Sequence, residues 1–143
     1  MADALKKKFY VSVKGAFVKN GRVLFLRNIR GQWQSKMYWD MPGGRIHEGE
    51  TIEEALRRQV REETGMREFS IGKIIATYLF KTNVEYHTGL FIVIYKCQTE
   101  EEKITLSDEH DTYGWFTKEE IKNFDPGDGY YTETALSVLR ERI

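Results

Sequence analysis

Residues 44–66 read GRIHEGETIEEALRRQVREETGM, and what this stretch folds into sets the terms for the chain around it. Thr51 followed by Glu54 forms a capping box, and Gly65 stands where helices commonly end. The pattern predicts a helix over 52–64. Turning about 100° per residue from Ile52, Ala55, Leu56 and Val60 fall on one side and define a face to bury. Gln59 and Glu63 land in the middle of that face, at about −20° and about +20°, with Glu62 flanking it at about −80°. Glu53, Arg57 and Arg61 lie opposite, where Glu53 and Arg57 have the supportive i,i+4 order. A carboxylate buried without partners costs several kcal/mol. Two inward acids therefore imply either a compensating cation or a last turn that frays into water. Hard oxygen donors of this kind suit Mg²⁺ or Mn²⁺. Directly ahead of the helix, Pro42-Gly-Gly-Arg-Ile-His-Glu-Gly-Glu50 adds glycines, a basic residue and two further acids.

Outward from this segment, the 143 residues have the length of one domain of ordinary size, and no linker or repeat divides them, so a single domain over 1–143 is expected. Charged residues make up 31% and hydrophobic ones 41%, which excludes disordered, collagen-like and membrane classes for the whole. The longest apolar run, Gly89 to Tyr95, is far short of a membrane helix. With 22 basic residues against 22 acidic ones, bulk charge recommends neither nucleic acid nor an anionic membrane as partner. The lone Cys97 and the polar first residues point to a cytoplasmic location. Phe9 to Val18 and Val23 to Arg27 read as strands joined in a hairpin by Lys19-Asn-Gly-Arg22. Further strands are expected near 72–81, 88–97 and 112–116, the first two joined by Asn83-Val-Glu-Tyr86. A C-terminal helix over about 132–141 and a short helical turn over 118–123 complete an α/β or α+β domain.

Gly44, Glu50, Arg58, Val60, Glu62, Glu63, Gly65 and Met66 stand at the spacings G-x5-E-x7-R-E-U-x-E-E-x-G-U, where U is aliphatic. In this box, and in its approach Trp39-Asp-Met-Pro-Gly-Gly44, the chain resembles the Nudix hydrolases. The resemblance implies an α/β/α sandwich with a mixed β-sheet between helices. It also implies metal-dependent hydrolysis of a nucleoside diphosphate linked to another moiety X, and often a homodimer. One position departs: Gln59 stands where the family has the first glutamate of its Arg-Glu pair, a metal ligand or general base in relatives. An amide cannot accept that proton. Three explanations are open: a natural enzyme with its base elsewhere, a non-catalytic nucleotide-binding module, or a deliberate inactivating change.

Carried onto this chain, the resemblance gives Mg²⁺, with Mn²⁺ as an alternative, to Glu62 and Glu63, with the carbonyl of Gly43 as a further ligand. Arg58 would orient the acids by ion pairing, and Glu50 would support the loop. Arg45 is a candidate for phosphate contact, against a plain solvated arginine. Leu106 to Trp115 is similar to the late loop that carries a glutamate base in some members, which nominates Glu109 first and His110 second, against a polar turn before a strand. Trp33 and Tyr38 are candidates for stacking on a base, against aromatics that pin a surface loop. Trp39 is expected to pack in the core, His47 to be a loop residue, and Cys97 to be a buried small hydrophobe.

Overall fold

In the computed structural model, which describes residues 8–29, 38–83, 88–124 and 130–140, the hairpin forms as expected from β1 (Lys8–Lys19) and β2 (Arg22–Asn28). Its turn holds Asn20 at φ 52° and Gly21 at φ 72°. Two successive positive φ values match the right-handed twist of the strands they join, and Asn-Gly tolerates them best. Two short strands, β3 (Tyr38–Asp40) and β4 (Gly43–Arg45), lead to α1 (Ile52–Thr64). Then come β5 (Phe69–Asn83), β6 (Thr88–Thr99), β7 (His110–Thr117), α2 (Lys118–Phe124) and α3 (Tyr130–Arg140).

The strands run in the order β3-β2-β1-β6-β5, with β4 on β1 and β7 on β2. Among the described residues only β1 and β6 pair in parallel, so the sheet is mixed. Alternation along β1 and β2 sorts side chains to two layers. Val13, Phe17, Leu24 and Leu26 meet Ala55, Leu56 and Val60 of α1, while Ala16, Val23 and Phe25 meet Ile121 of α2 and Ala135 and Val138 of α3. Each fully buried large side chain contributes about 1.5–3 kcal/mol relative to exposure. The result is the expected α/β/α sandwich.

One irregularity of the sheet positions the site. β1 and β2 pair only near the turn, at Val18 with Val23 and Lys19 with Arg22. Beyond that point each takes another partner. β1 accepts β4 through Ser12 to Lys14, and β2 accepts β3 and β7. The Gly15 amide donates to the Pro42 carbonyl at 2.8 Å, so the chain from Asp40 to Gly43 is stitched across the parting.

Several boundaries differ from the sequence expectation. β5 begins at Phe69 and β6 continues to Thr99, because antiparallel pairing from Phe69 with Thr99 extends both. β7 opens at His110, so His110 belongs to a strand and Glu109 to the turn before it. Residues 84–86 of the expected link between the long strands, the last residue of the expected C-terminal helix, Glu141, and Trp33 lie outside the described residues; of Tyr38 only the backbone is described, opening β3. Among the described residues, no helix is long and apolar enough to cross a membrane.

Candidate active site

Helix α1 is capped as its sequence dictates. Thr51 Oγ1 accepts from the Glu54 amide at 3.1 Å and Glu54 Oε1 accepts from the Thr51 amide at 2.9 Å, while Gly65 donates to the Arg61 carbonyl at 2.9 Å. With the ends fixed, Ala55, Leu56 and Val60 face the sheet and carry Glu63 with them. Glu63 is 8% exposed. Its Oε1 accepts from the Gly43 amide at 2.7 Å, joining the last turn of α1 to β4. Burial pushes this carboxyl up to about 8, with Asp40 and Glu109 adding to the shift, against the opposing pull of Lys14 and the Gly43 amide.

Glu109, in the turn before β7, and His110, the first residue of that strand, complete the cluster. One ligand atom from each of Glu63, Glu109 and His110 lies within 4.8 Å of the others. His110 Nε2 stands 3.9 Å from Glu63 Oε2, and His110 Nδ1 is buried with no hydrogen-bond partner. Desolvation holds the imidazole below its ordinary value, so it is neutral at pH 7 with a lone pair to offer. The turn is anchored on both sides. Ile29 donates to the Glu109 carbonyl at 2.9 Å, and Arg27 grips Asp111 through two bonds of 2.7 and 2.6 Å.

The adjacent Glu62 does not converge with Glu63. Consecutive helix residues diverge by about 100°, and the Glu62 side chain, 55% exposed, turns to Arg58 at 3.4 Å. Arg58 itself is committed to Glu50 through Nε at 2.6 Å and Nη2 at 2.9 Å, and its Nη2 also donates to the Arg45 carbonyl at 3.1 Å. It braces the loop ahead of the helix. Glu50 also accepts from the His47 amide at 2.8 Å, and the arginine holds its carboxyl down at about 2. His47 is exposed in that loop.

Gln59 lies against Gly44. A Cβ on Gly44 would come within 2.6–2.7 Å of its amide group, and its Nε2 donates to the Arg45 carbonyl at 3.3 Å. The bond needs a donor, which glutamate would not supply. The guanidinium of Arg45 lies 4.1 Å over the ring of Tyr10, both residues being exposed. Trp39 packs edge-on against Phe116, with ring centroids 5.2 Å apart, as a core residue should. Cys97 is buried in the α1 layer and its thiol is pushed up to about 12 by burial.

Sequence reasoning missed two charged members of this neighbourhood. Lys14 and Asp40 are both buried and pair at 3.0 Å, and Lys14 Nζ also donates to the Gly43 carbonyl at 3.2 Å. A signal existed: Lys14 shares with Ala16 an inward face of β1, where a lysine needs a partner.

A NUDIX domain family model matches residues 9–135, and the chain belongs to the Nudix family. Among curated relatives, it is 34% identical over 96 residues to the nucleoside triphosphatase NudI of Klebsiella pneumoniae subsp. pneumoniae, covering 61% of this chain and 66% of that one, just under two thirds. The corresponding protein of Salmonella agona is 33% identical over 96 residues, covering 61% of this chain and 67% of that one. Among solved structures, the MutT protein of Methanosarcina mazei Go1 superposes with a TM-score of 0.78 at 25% identity, over 95% of this chain and 96% of that one. A NUDIX hydrolase of Nitrosomonas europaea shares the fold with a TM-score of 0.72 at 20% identity, over 92% and 88% of the two chains.

Proposed function

We propose that this chain acts as a single Nudix domain that hydrolyses the pyrophosphate linkage of a nucleoside diphosphate joined to another moiety X. Nucleoside triphosphates come first among the substrates to test, because the relatives with the NudI name carry that activity in their names. The observation that carries this reading is Glu63: a buried carboxylate bonded to a glycine amide beside Glu109 and His110. Burial makes its ionised form costly, and a divalent cation offsets that cost.

The donor set fits such an ion. Glu63 offers a hard oxygen suited to Mg²⁺ or Mn²⁺, and Glu109 and His110 stand beside it, with donor atoms within 4.8 Å, as proton acceptors. Glu62, held only by its 3.4 Å contact with Arg58, and the Gly43 carbonyl are the further donors the family pattern assigns. The bound ion would neutralise phosphate charge and lower the pKa of a water. The protein's own groups do the rest. Arg58 keeps Glu50 and the Arg45 carbonyl in register, so that loop and helix present the cluster as one unit. Arg45, exposed on β4, contacts phosphate oxygens; Tyr38 and Trp33 are candidates for the base by their place in the sequence alone. Gln59 cannot take a proton, so Glu109, the exposed member of the cluster, takes it from the attacking water, with His110 second in line.

A panel of nucleoside triphosphates, nucleotide sugars, ADP-ribose and dinucleoside polyphosphates tests this, with phosphate or nucleotide release measured in Mg²⁺ and in Mn²⁺. At least one substrate is expected to turn over, and Glu63→Gln is expected to abolish the activity. No hydrolysis by either this chain or Gln59→Glu overturns the enzyme reading. A second reading, a nucleotide-binding module without turnover, is favoured by the bond that locks Gln59 to the Arg45 carbonyl. It predicts metal-dependent nucleotide binding by this chain, with hydrolysis appearing only in Gln59→Glu.

A further inference from the structure

We propose that Lys14, tethered by Asp40, is a positioning residue: it holds Gly43 in place and, through that glycine, the Glu63 carboxylate on which the metal site would be built. The inference rests on the metal-site reading above and gives a role to two residues outside the 44–66 box.

Lys14 meets Gly43 twice. The two residues are partners where β1 pairs antiparallel with β4, and the approach is so close that a Cβ on Gly43 would lie 2.7 Å from Lys14 Cα and 3.0 Å from its Cδ. The lysine stem therefore runs beside the glycine. At its end, Nζ donates to the Gly43 carbonyl at 3.2 Å and to Asp40 Oδ2 at 3.0 Å. Asp40 is fixed in turn, since its Oδ1 accepts from the Met41 amide at 2.8 Å. On the other side of the same glycine, the amide donates to Glu63 Oε1 at 2.7 Å. Gly43 has φ 139°, a conformation open to a residue without a side chain, and such a residue is free to leave it. The bonds at its carbonyl and its amide are what hold it there. Lys14 makes one of them and Glu63 the other.

Packing alone does not call for an ammonium here. Lys14 and Asp40 are 8% and 9% exposed, and an apolar pair of similar volume would fill the same space without the cost of desolvating two charges. What the ammonium adds is a directional donor aimed at one carbonyl. Positioning and plain electrostatics then predict opposite signs. Removing a positive charge beside a cation site tightens metal binding by Coulomb's law, whereas releasing the group that orients a ligand weakens it.

Two measurements on the nucleotide-free full chain test this: Mn²⁺ affinity from the free-ion electron paramagnetic resonance signal, and metal-free hydrogen exchange of the Gly43 amide relative to the buried Leu56 amide. The variants are Lys14→Met, Lys14→Arg, and Lys14→Met combined with Asp40→Asn. The double variant removes both charges together and keeps an acceptor for the Met41 amide, so it leaves no buried charge unpaired and does not alter the net charge. In Lys14→Met and in the double variant, Mn²⁺ binding is expected to weaken by about tenfold or more, with Gly43 exchange faster by about the same factor. Lys14→Arg, which can donate to both acceptors, is expected to recover most of each. A merely structural pair predicts instead that the double variant regains both the affinity and the slow exchange. Tighter Mn²⁺ binding in Lys14→Met, or a double variant unchanged in either measurement, overturns the proposal. Should Lys14→Met fail to fold, the double variant decides alone. No Mn²⁺ bound by the unaltered chain overturns the metal-site reading itself, and the exchange rate of Gly43 then decides whether Lys14 holds the glycine.

Discussion

Gly43 donates its amide to Glu63 Oε1 across 2.7 Å, tying β4 to the last turn of α1 at the carboxylate on which the site is centred. The bond makes the glycine loop and the box helix one unit. It also fixes where that carboxylate sits when no cation is present, against the pull of its own hydration.

The first expectation concerns pH. Glu63 titrates at about 8 in the metal-free fold against an ordinary value of 4.5, so the folded state holds a proton that the unfolded state has lost. For a carboxyl raised in this way, stability is greatest below 4.5, falls as pH rises, and levels off above about 8. The loss is on the order of a few kcal/mol. Melting curves of the metal-free protein between pH 5 and 9 should show the decline, and Glu63→Gln should flatten it. Adding Mg²⁺ at pH 7 should restore stability with release of about one proton, seen in calorimetry in buffers of different ionisation enthalpy. Glu62→Gln, at a half-exposed position, should leave the pH slope in place.

Glu50 behaves oppositely. Arg58 and the His47 amide hold it at about 2, below its ordinary 4.5, so its contribution is fully present above 4.5 and is lost as pH falls through about 2. The difference in melting temperature between the unaltered protein and Glu50→Gln should be largest at neutral pH and close towards pH 2. A difference that stayed constant across this range would mean that the Arg58 pair does not stabilise the loop through charge.

The two glycines of the loop should not respond alike. Gly43 has φ 139°, and a Cβ there would lie 2.1 Å from the Val13 carbonyl oxygen, so Gly43→Ala strains the backbone and drives β4 off β1. A cost of about 3 kcal/mol or more is expected, with loss of metal binding. At Gly44 the obstruction is the end of the Gln59 side chain, which can shift at the loss of its bond to the Arg45 carbonyl, and Gly44→Ala should cost about 1 kcal/mol. Denaturant unfolding of the two variants ranks them.

Much of this arrangement was legible in the sequence because it is local. The capping box, the inward face of α1 and the place of Glu63 on it follow from a 3.6-residue period, and the hairpin turn follows from Asn20-Gly21. The fate of Glu62 was less legible, since its direction is set by an arginine already committed to Glu50. β3 and β4 were invisible: three residues carry no periodicity, and each is a strand only because a distant partner pairs with it. Lys14 and Asp40 escaped for the same reason. Their pairing depends on β1 parting from β2, a tertiary event that no local pattern announces.

Substitutions at Gln59 and at Glu109 should act in different ways. Gln59 donates to the Arg45 carbonyl at 3.3 Å, so Gln59→Glu loses that bond, worth about 0.5–1.5 kcal/mol. It also places a third carboxylate within one helical turn of Glu62 and Glu63, which adds like-charge repulsion. The metal-free variant should therefore melt lower than the unaltered chain, and Mg²⁺ should stabilise it by more. Glu109 differs because it is exposed and its backbone carbonyl, not its side chain, anchors the turn through Ile29. Glu109→Ala should leave the melting temperature nearly unchanged while turnover falls by about 10²-fold or more, the usual contribution of a general base. Steady-state rates on the best substrate of the panel measure this. An unchanged rate in Glu109→Ala, with turnover rising in Gln59→Glu, would place the base at position 59 and make the amide there the reason the chain is slow.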